Sequence, residues 1–120
     1  MKACRLILPL LILPGIAAAG PAKRFDCPGW STNMAIATLK NAGVTDPAKL
    51  DESKTETVLL ASEKIGKDAI YRKDLYQLVY EITFHEKSGA AIQVITSSQA
   101  GPVECSMGEV TVYVVSQKLK

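Results

Sequence analysis

From Lys54 onward the side chains alternate between apolar and polar in four separate runs, and this period of two limits the fold more than any other feature of the chain. The runs are Thr55 to Ser62 (TETVLLAS), Leu75 to Phe84 (LYQLVYEITF), Ala91 to Ser97 (AIQVITS) and Val110 to Ser116 (VTVYVVS), all rich in β-branched and aromatic residues. They predict four strands. In the second run Tyr76, Leu78, Tyr80, Ile82 and Phe84 point one way and Gln77, Val79, Glu81, Thr83 and His85 the other, the pattern of a sheet with one buried face. Glu63-Lys64-Ile65-Gly66 and Glu86-Lys87-Ser88-Gly89 each place charged residues before a glycine able to take positive φ, so both are candidate hairpin connections. Short connections join antiparallel neighbours, which gives an up-and-down order.

Upstream the period is helical. Ser31 follows the Cys27-Pro28-Gly29-Trp30 turn and is a good N-cap, because its hydroxyl accepts a hydrogen bond from an unpaired first-turn amide. Ala35, Ile36, Leu39 and Ala42 then form one apolar stripe, Asn33, Lys40 and Asn41 face away, and Gly43 supplies a left-handed stop. Asp46-Pro47 repeats the capping logic and predicts a single turn over Pro47 to Leu50. The expected fold class is α+β: two layers, one N-terminal helix packed on the aromatic face of a four-stranded antiparallel meander.

Residues 1–19 read as a cleaved signal peptide, with Lys2 and Arg5 before the apolar stretch Leu6 to Ala19. That run is broken by Pro9 and Pro14 and is shorter than the roughly 20 residues of a membrane-spanning helix. The triplet Ala17-Ala18-Ala19 favours cleavage after Ala19, with Ala22 as the second choice, leaving residues 20–120 as one small domain. The expected location is periplasmic or secreted. Lys2 and Arg5 leave with the leader, so twelve basic residues remain against twelve acidic ones. A neutral chain with scattered charge lacks the basic stripe that phosphate-backbone binding requires, and nucleic acid is not an expected partner. A stable membrane anchor is not expected either.

Loss of Cys4 leaves Cys27 and Cys105 as the remaining sulfur pair, and two cysteines in an oxidising compartment read as a disulfide. A free or catalytic thiol is the alternative. Cys27 follows Lys23, Arg24, Phe25 and Asp26 rather than a small-residue box, which argues against lipidation. One histidine with two distant cysteines is a poor zinc set, and neither metal nor cofactor is expected. The bridge would tie the leading turn of the helix to the loop Ala100 to Glu109, before the last strand.

A thiolate paired with His85 is a conceivable nucleophile, but His85 sits on the polar face at a strand end beside Glu86, where it needs no catalytic task. Cys-x-x-Cys and Gly-x-Ser-x-Gly motifs do not occur. Trp30, the single tryptophan, either packs on the disulfide or serves as an aromatic anchor for a partner. Met34 and Met107 are candidates to join it in a small apolar contact patch around the bridge. Tyr71 and Arg72, followed by Lys73, put an aromatic beside basic side chains between the first two strands, which reads as a solvated loop or, in the alternative, a second candidate contact.

A helix followed by an antiparallel meander resembles the architecture of cystatin-type folds. Gln93-Val94-Ile95-Thr96-Ser97 departs from the Gln-x-Val-x-Gly inhibitory hairpin of cystatins, so protease inhibition does not carry over. The phrases GVTDPAKLD and ECSMGEVTVYVVS are similar to short exported bacterial proteins without assigned activity, which implies no residue roles. The expected function is a non-enzymatic, exported protein-binding module of the cell envelope, an inhibitor or immunity factor, whose partner is another envelope or secreted protein. The alternative is a carrier holding a small apolar ligand between helix and sheet.

Overall fold

The computed structural model describes residues 23–115; the expected leader, its cleavage site and Cys4 lie outside the described residues. The chain order is helix α1 (Pro28–Asn41), two single 3-10 turns (Pro47–Lys49 and Glu52–Lys54), then strands β1 (Glu56–Lys67), β2 (Asp74–His85), β3 (Ala91–Ala100) and β4 (Thr111–Val114). The strands form one antiparallel sheet in the order β1-β2-β3-β4. The α+β class and the up-and-down order are therefore as the alternation implies.

The helix begins three residues before Ser31. Cys27 is the N-cap and Pro28 occupies the first turn, where a fixed φ is favourable and a missing N–H is harmless. No side chain caps the first-turn amides, but the backbone N–H of the N-cap Cys27 itself donates to the Tyr80 hydroxyl at 2.6 Å, so a strand residue fixes where the helix begins. Ser31 is instead a buried residue inside the helix, its hydroxyl 3.0 Å from that of Ser98 on β3. At the other end Val44 N–H reaches Leu39 O and Gly43 N–H reaches Lys40 O, with Gly43 at φ +74°, a Schellman stop. The inward stripe is Ser31, Ala35 and Leu39, while Ala42 is exposed.

Asp46 accepts from the Ala48 N–H at 2.9 Å and starts the turn expected at Pro47. Asp51 does the same for Ser53 in a second turn that the sequence reading leaves out. Leu50, between them, is buried and bridges to Glu86, which fastens this segment to the β2–β3 end of the sheet.

The Glu63–Gly66 stretch is not a hairpin connection: β1 runs through it to Lys67. Pairing with β2 continues on both sides, Lys64 opposite Tyr76 and Gly66 opposite Leu75, and the positive φ of Gly66 (+146°) absorbs a bulge rather than a chain reversal. Glu86 to Gly89 does make the second hairpin, with Gly89 at φ +103° and its N–H on Glu86 O.

Leu78, Tyr80, Ile82 and Phe84 on β2, Val94 and Ala100 on β3, and Ala35 and Leu39 on α1 are each 1% exposed or less and form the core with Leu50. The disulfide joins Cys27 to Cys105 across a sequence separation of 78, with Cα atoms 6.1 Å apart. It links the helix start to the β3–β4 loop. The N-terminal segment is also held by Phe25, whose ring stacks on Tyr76 at 4.6 Å between centroids.

Candidate functional site

The most exposed large apolar side chain of the described residues is Ile70, at 77%. It projects from the six-residue loop 68–73 between β1 and β2. An isoleucine left in water on a loop without internal bonds needs no explanation, but this loop is closed by its own hydrogen bonds. Asp68 at its start is 7% exposed, and its carboxylate accepts the backbone N–H groups of Ile70 (2.9 Å), Tyr71 and Lys73 (3.2 Å). The main chain closes the same ring, because Asp68 N–H donates to Lys73 O at 2.9 Å and Arg72 N–H to Asp68 O at 3.1 Å. Arg72 sits at φ +57°, a left-handed conformation that a non-glycine residue holds only when its surroundings impose it.

Burial pushes the Asp68 carboxyl towards the neutral form, yet the amides of Tyr71, Lys73, Ile70 and Arg72 outweigh that and hold its pKa below the ordinary value. The carboxylate is the anionic hub around which the loop is wound. Just outside, Asp74 meets Lys64 at 3.1 Å and Lys67 at 3.2 Å, and the hydrogen bonds of these lysines lower its pKa. Arg72 and Lys73 take no carboxylate partner among the described residues, so the loop presents apolar and basic groups together.

The β3–β4 loop reaches the same end of the molecule. Tyr71 donates its hydroxyl to Glu104 Oε2 at 3.4 Å, and Glu104 is steadied by Ser106 at 2.8 Å. Gly101 packs so closely that an added Cβ would stand 3.2 Å from Asp74 O. Val103, 54% exposed, joins Ile70 and Tyr71 as an outward apolar group at this tip. The disulfide at Cys105 anchors the loop that carries Val103 and Glu104.

Of the contact residues expected from sequence, Tyr71 and Arg72 lie in this tip. Trp30 and Met34 stand one turn apart on α1, and Met107 lies two residues beyond the bridge; all three are half-buried. The Trp30 indole N–H is enclosed without a hydrogen-bond partner among the described residues. His85 Nε2 is 3.0 Å from Glu56 Oε1 on the outer face of the sheet, and Cys27 and Cys105 are both consumed by the bridge, so among the described residues no thiol pairs with it. Ile70, Val103 and Asp68 were missed by sequence reading. The signal for Asp68 was present in KDAIYRKD, an aspartate followed by residues whose amides it can gather.

A shallow groove of about 390 Å³ opens between the first turns of α1 and β1, lined among others by Asp26, Thr32, Asn33, Thr57, Leu59 and Tyr80. At its floor Tyr80 donates its hydroxyl to Asp26 Oδ1 at 2.6 Å. Burial, and then the hydrogen bond it donates to the Asp26 carboxylate, push the ionisation of Tyr80 well above the ordinary phenol range. The phenol is a structural clasp that stays protonated. Among the described residues no three His, Cys, Asp or Glu side chains converge as metal ligands, and no helix is long and apolar enough to cross a membrane. Comparison with family models, with curated proteins and with solved structures returns no match.

Proposed function

We propose that the chain is a non-enzymatic, exported protein-binding module that engages its partner through the Asp68-centred tip. The observation that carries this reading is an isoleucine 77% exposed on a loop whose amides are all but fixed by one buried carboxylate. Holding the exposed Ile70 side chain on a fixed loop reduces the ordering cost that would otherwise be met on binding. Tyr71 and Arg72, which has no carboxylate partner among the described residues, add the aromatic and guanidinium groups enriched at interface hot spots.

The narrower role, an inhibitor or immunity factor of the cell envelope, rests on the same exposed tip together with the leader-like sequence of residues 1–19. The cystatin-type reading of the architecture is supported by the order of one helix and four meandering strands. A carrier of apolar ligands has less support, because the side chains between helix and sheet fill that space and the surface groove is lined by Asp26, Thr32 and Asn33.

The test is a paired capture from envelope extract with wild-type, Ile70→Asp and Val44→Asp baits. Val44 is also exposed but lies beyond the helix end, away from the tip. A protein retained by wild type and Val44→Asp but reduced at least tenfold by Ile70→Asp is the expected result. Equal recovery on all three baits removes the tip as the contact site.

A further inference from the structure

Two strands border the sheet, and they are built differently. β1 carries register shifts between Leu59 and Ala61 and between Lys64 and Gly66, along with the charges of Glu63, Lys64 and Lys67. The Leu59 carbonyl also accepts the Arg24 guanidinium at 3.2 Å. Bulges, charges and a covering segment are the means by which natural edges avoid pairing with another chain. Among the described residues β4 has none of them. Thr111-Val112-Tyr113-Val114 has no bulge, proline or charge, and Tyr113, Val114 and Val115 are 58%, 45% and 43% exposed.

The backbone parity of β4 follows from two hydrogen bonds. Val115 N–H donates to Gln93 O at 2.8 Å and Met107 N–H to Gln99 O at 3.3 Å, so odd-numbered β3 residues face β4. Through the register Ile95 to Tyr113 and Ser97 to Thr111, the odd residues of β4 bond inward. The N–H and C=O of Val112 and Val114 therefore point off the open side, and among the described residues nothing pairs with them.

We infer that this edge pairs with β4 of a second copy of the chain, antiparallel and centred on Tyr113, to make a continuous eight-stranded sheet. Residues opposite one another in a sheet share a face, so an even position must meet an even one. Centring on Tyr113 sets Val112 against the partner's Val114, Thr111 against its Val115 and Tyr113 against its own counterpart. The outward amides of Val112 and Val114 then fall into reciprocal hydrogen-bonded pairs. Residues 111–115 carry no charge, so laying the strand on itself brings no like charges together, and it forms the aromatic and β-branched cross-strand pairs that stabilise sheets. The contact also covers Val114, whose side chain lies on the helix-bearing face but is left open there. A strand this short makes a small interface, which belongs to the transient class.

Sedimentation of the protein in its natural processed form, from about 1 μM to about 1 mM, tests the inference across the range of transient complexes. A reversible monomer–dimer equilibrium is expected, with amide exchange at Val112 and Val114 slowing as the dimer fills. Val114→Pro removes an outward N–H without touching a bond to β3, and raises the dissociation constant at least tenfold with an unchanged urea midpoint. Tyr113→Lys places two cations at the symmetry axis and weakens the dimer in a way that added salt partly restores; it serves if the proline variant does not fold. A monomer throughout the range overturns the inference, as does a dimer insensitive to both variants. A dimer lost on Ile70→Asp instead assigns the contact to the tip and also overturns it. A monomer that takes up a foreign strand in a Val114-dependent way shows that the edge serves another protein, and excludes the second copy.

Discussion

Reducing the Cys27–Cys105 bridge should lower stability by an amount set by chain length and not by the contacts around it. In the chain-entropy account a cross-link at separation 78 removes about 15 cal/mol/K from the unfolded ensemble, or about 4.5 kcal/mol at 25 °C. The folded chain keeps its other anchors. Phe25 stays stacked on Tyr76, the Ser62 hydroxyl still donates to Phe25 O at 2.7 Å, and Tyr80 still receives the Cys27 N–H at 2.6 Å. The reduced protein should therefore give a native-like circular dichroism spectrum in the cold and unfold at far lower denaturant. With domains of this size shifting roughly 4–8 °C per kcal/mol, the melting temperature should fall by about 20–35 °C. Urea melts of the oxidised protein, the protein in excess thiol reductant, and a Cys27→Ala/Cys105→Ala variant measure this directly. The variant also loses two partly buried side chains packed on the core, so it should fall somewhat below the reduced wild type. Oxidised and reduced forms that agree within about 0.5 kcal/mol would refute the reasoning, because the loop-closure contribution would then be absent.

Tyr80→Phe deletes a hydroxyl that serves both the Asp26 carboxylate and the Cys27 amide, and should destabilise by about 1–3 kcal/mol in urea melts, leaving the helix start frayed by amide exchange. Asp68 has a folded-state pKa below its unfolded value. Its contribution to loop order is therefore complete above about pH 4 and lost as pH falls through the lower folded value; exchange at the amides of Ile70, Tyr71 and Lys73 should rise relative to the core only below that point. Gly43→Ala forces a Cβ into φ +74° and should cost about 1 kcal/mol in thermal melts, despite the open space around it.

The alternation in LYQLVYEITF determined β2 and its buried face, because a period of two leaves only one side of a strand to the core and Leu78, Tyr80, Ile82 and Phe84 all fall there. Gly43, Gly89 and Asp46-Pro47 were legible for a related reason: each encodes a local φ or a capping oxygen that acts within a few residues. Cys27 and Cys105 were legible as a pair once Cys4 was assigned to the leader. Tertiary structure decided the rest. Gly66 is equally able to turn a chain or absorb a bulge, and continued pairing with Tyr76 and Leu75 on β2 chose the bulge. Ser31 has the right chemistry for an N-cap, but a strand tyrosine took the Cys27 amide and Ser98 took the serine, so the helix starts earlier. The tip needed Asp68 buried and Ile70 exposed on neighbouring residues, a contrast that hydropathy cannot foretell because it depends on where the two strands end. Local sequence sets which conformations are permitted; pairing register and burial, which join residues far apart in the chain, select among them.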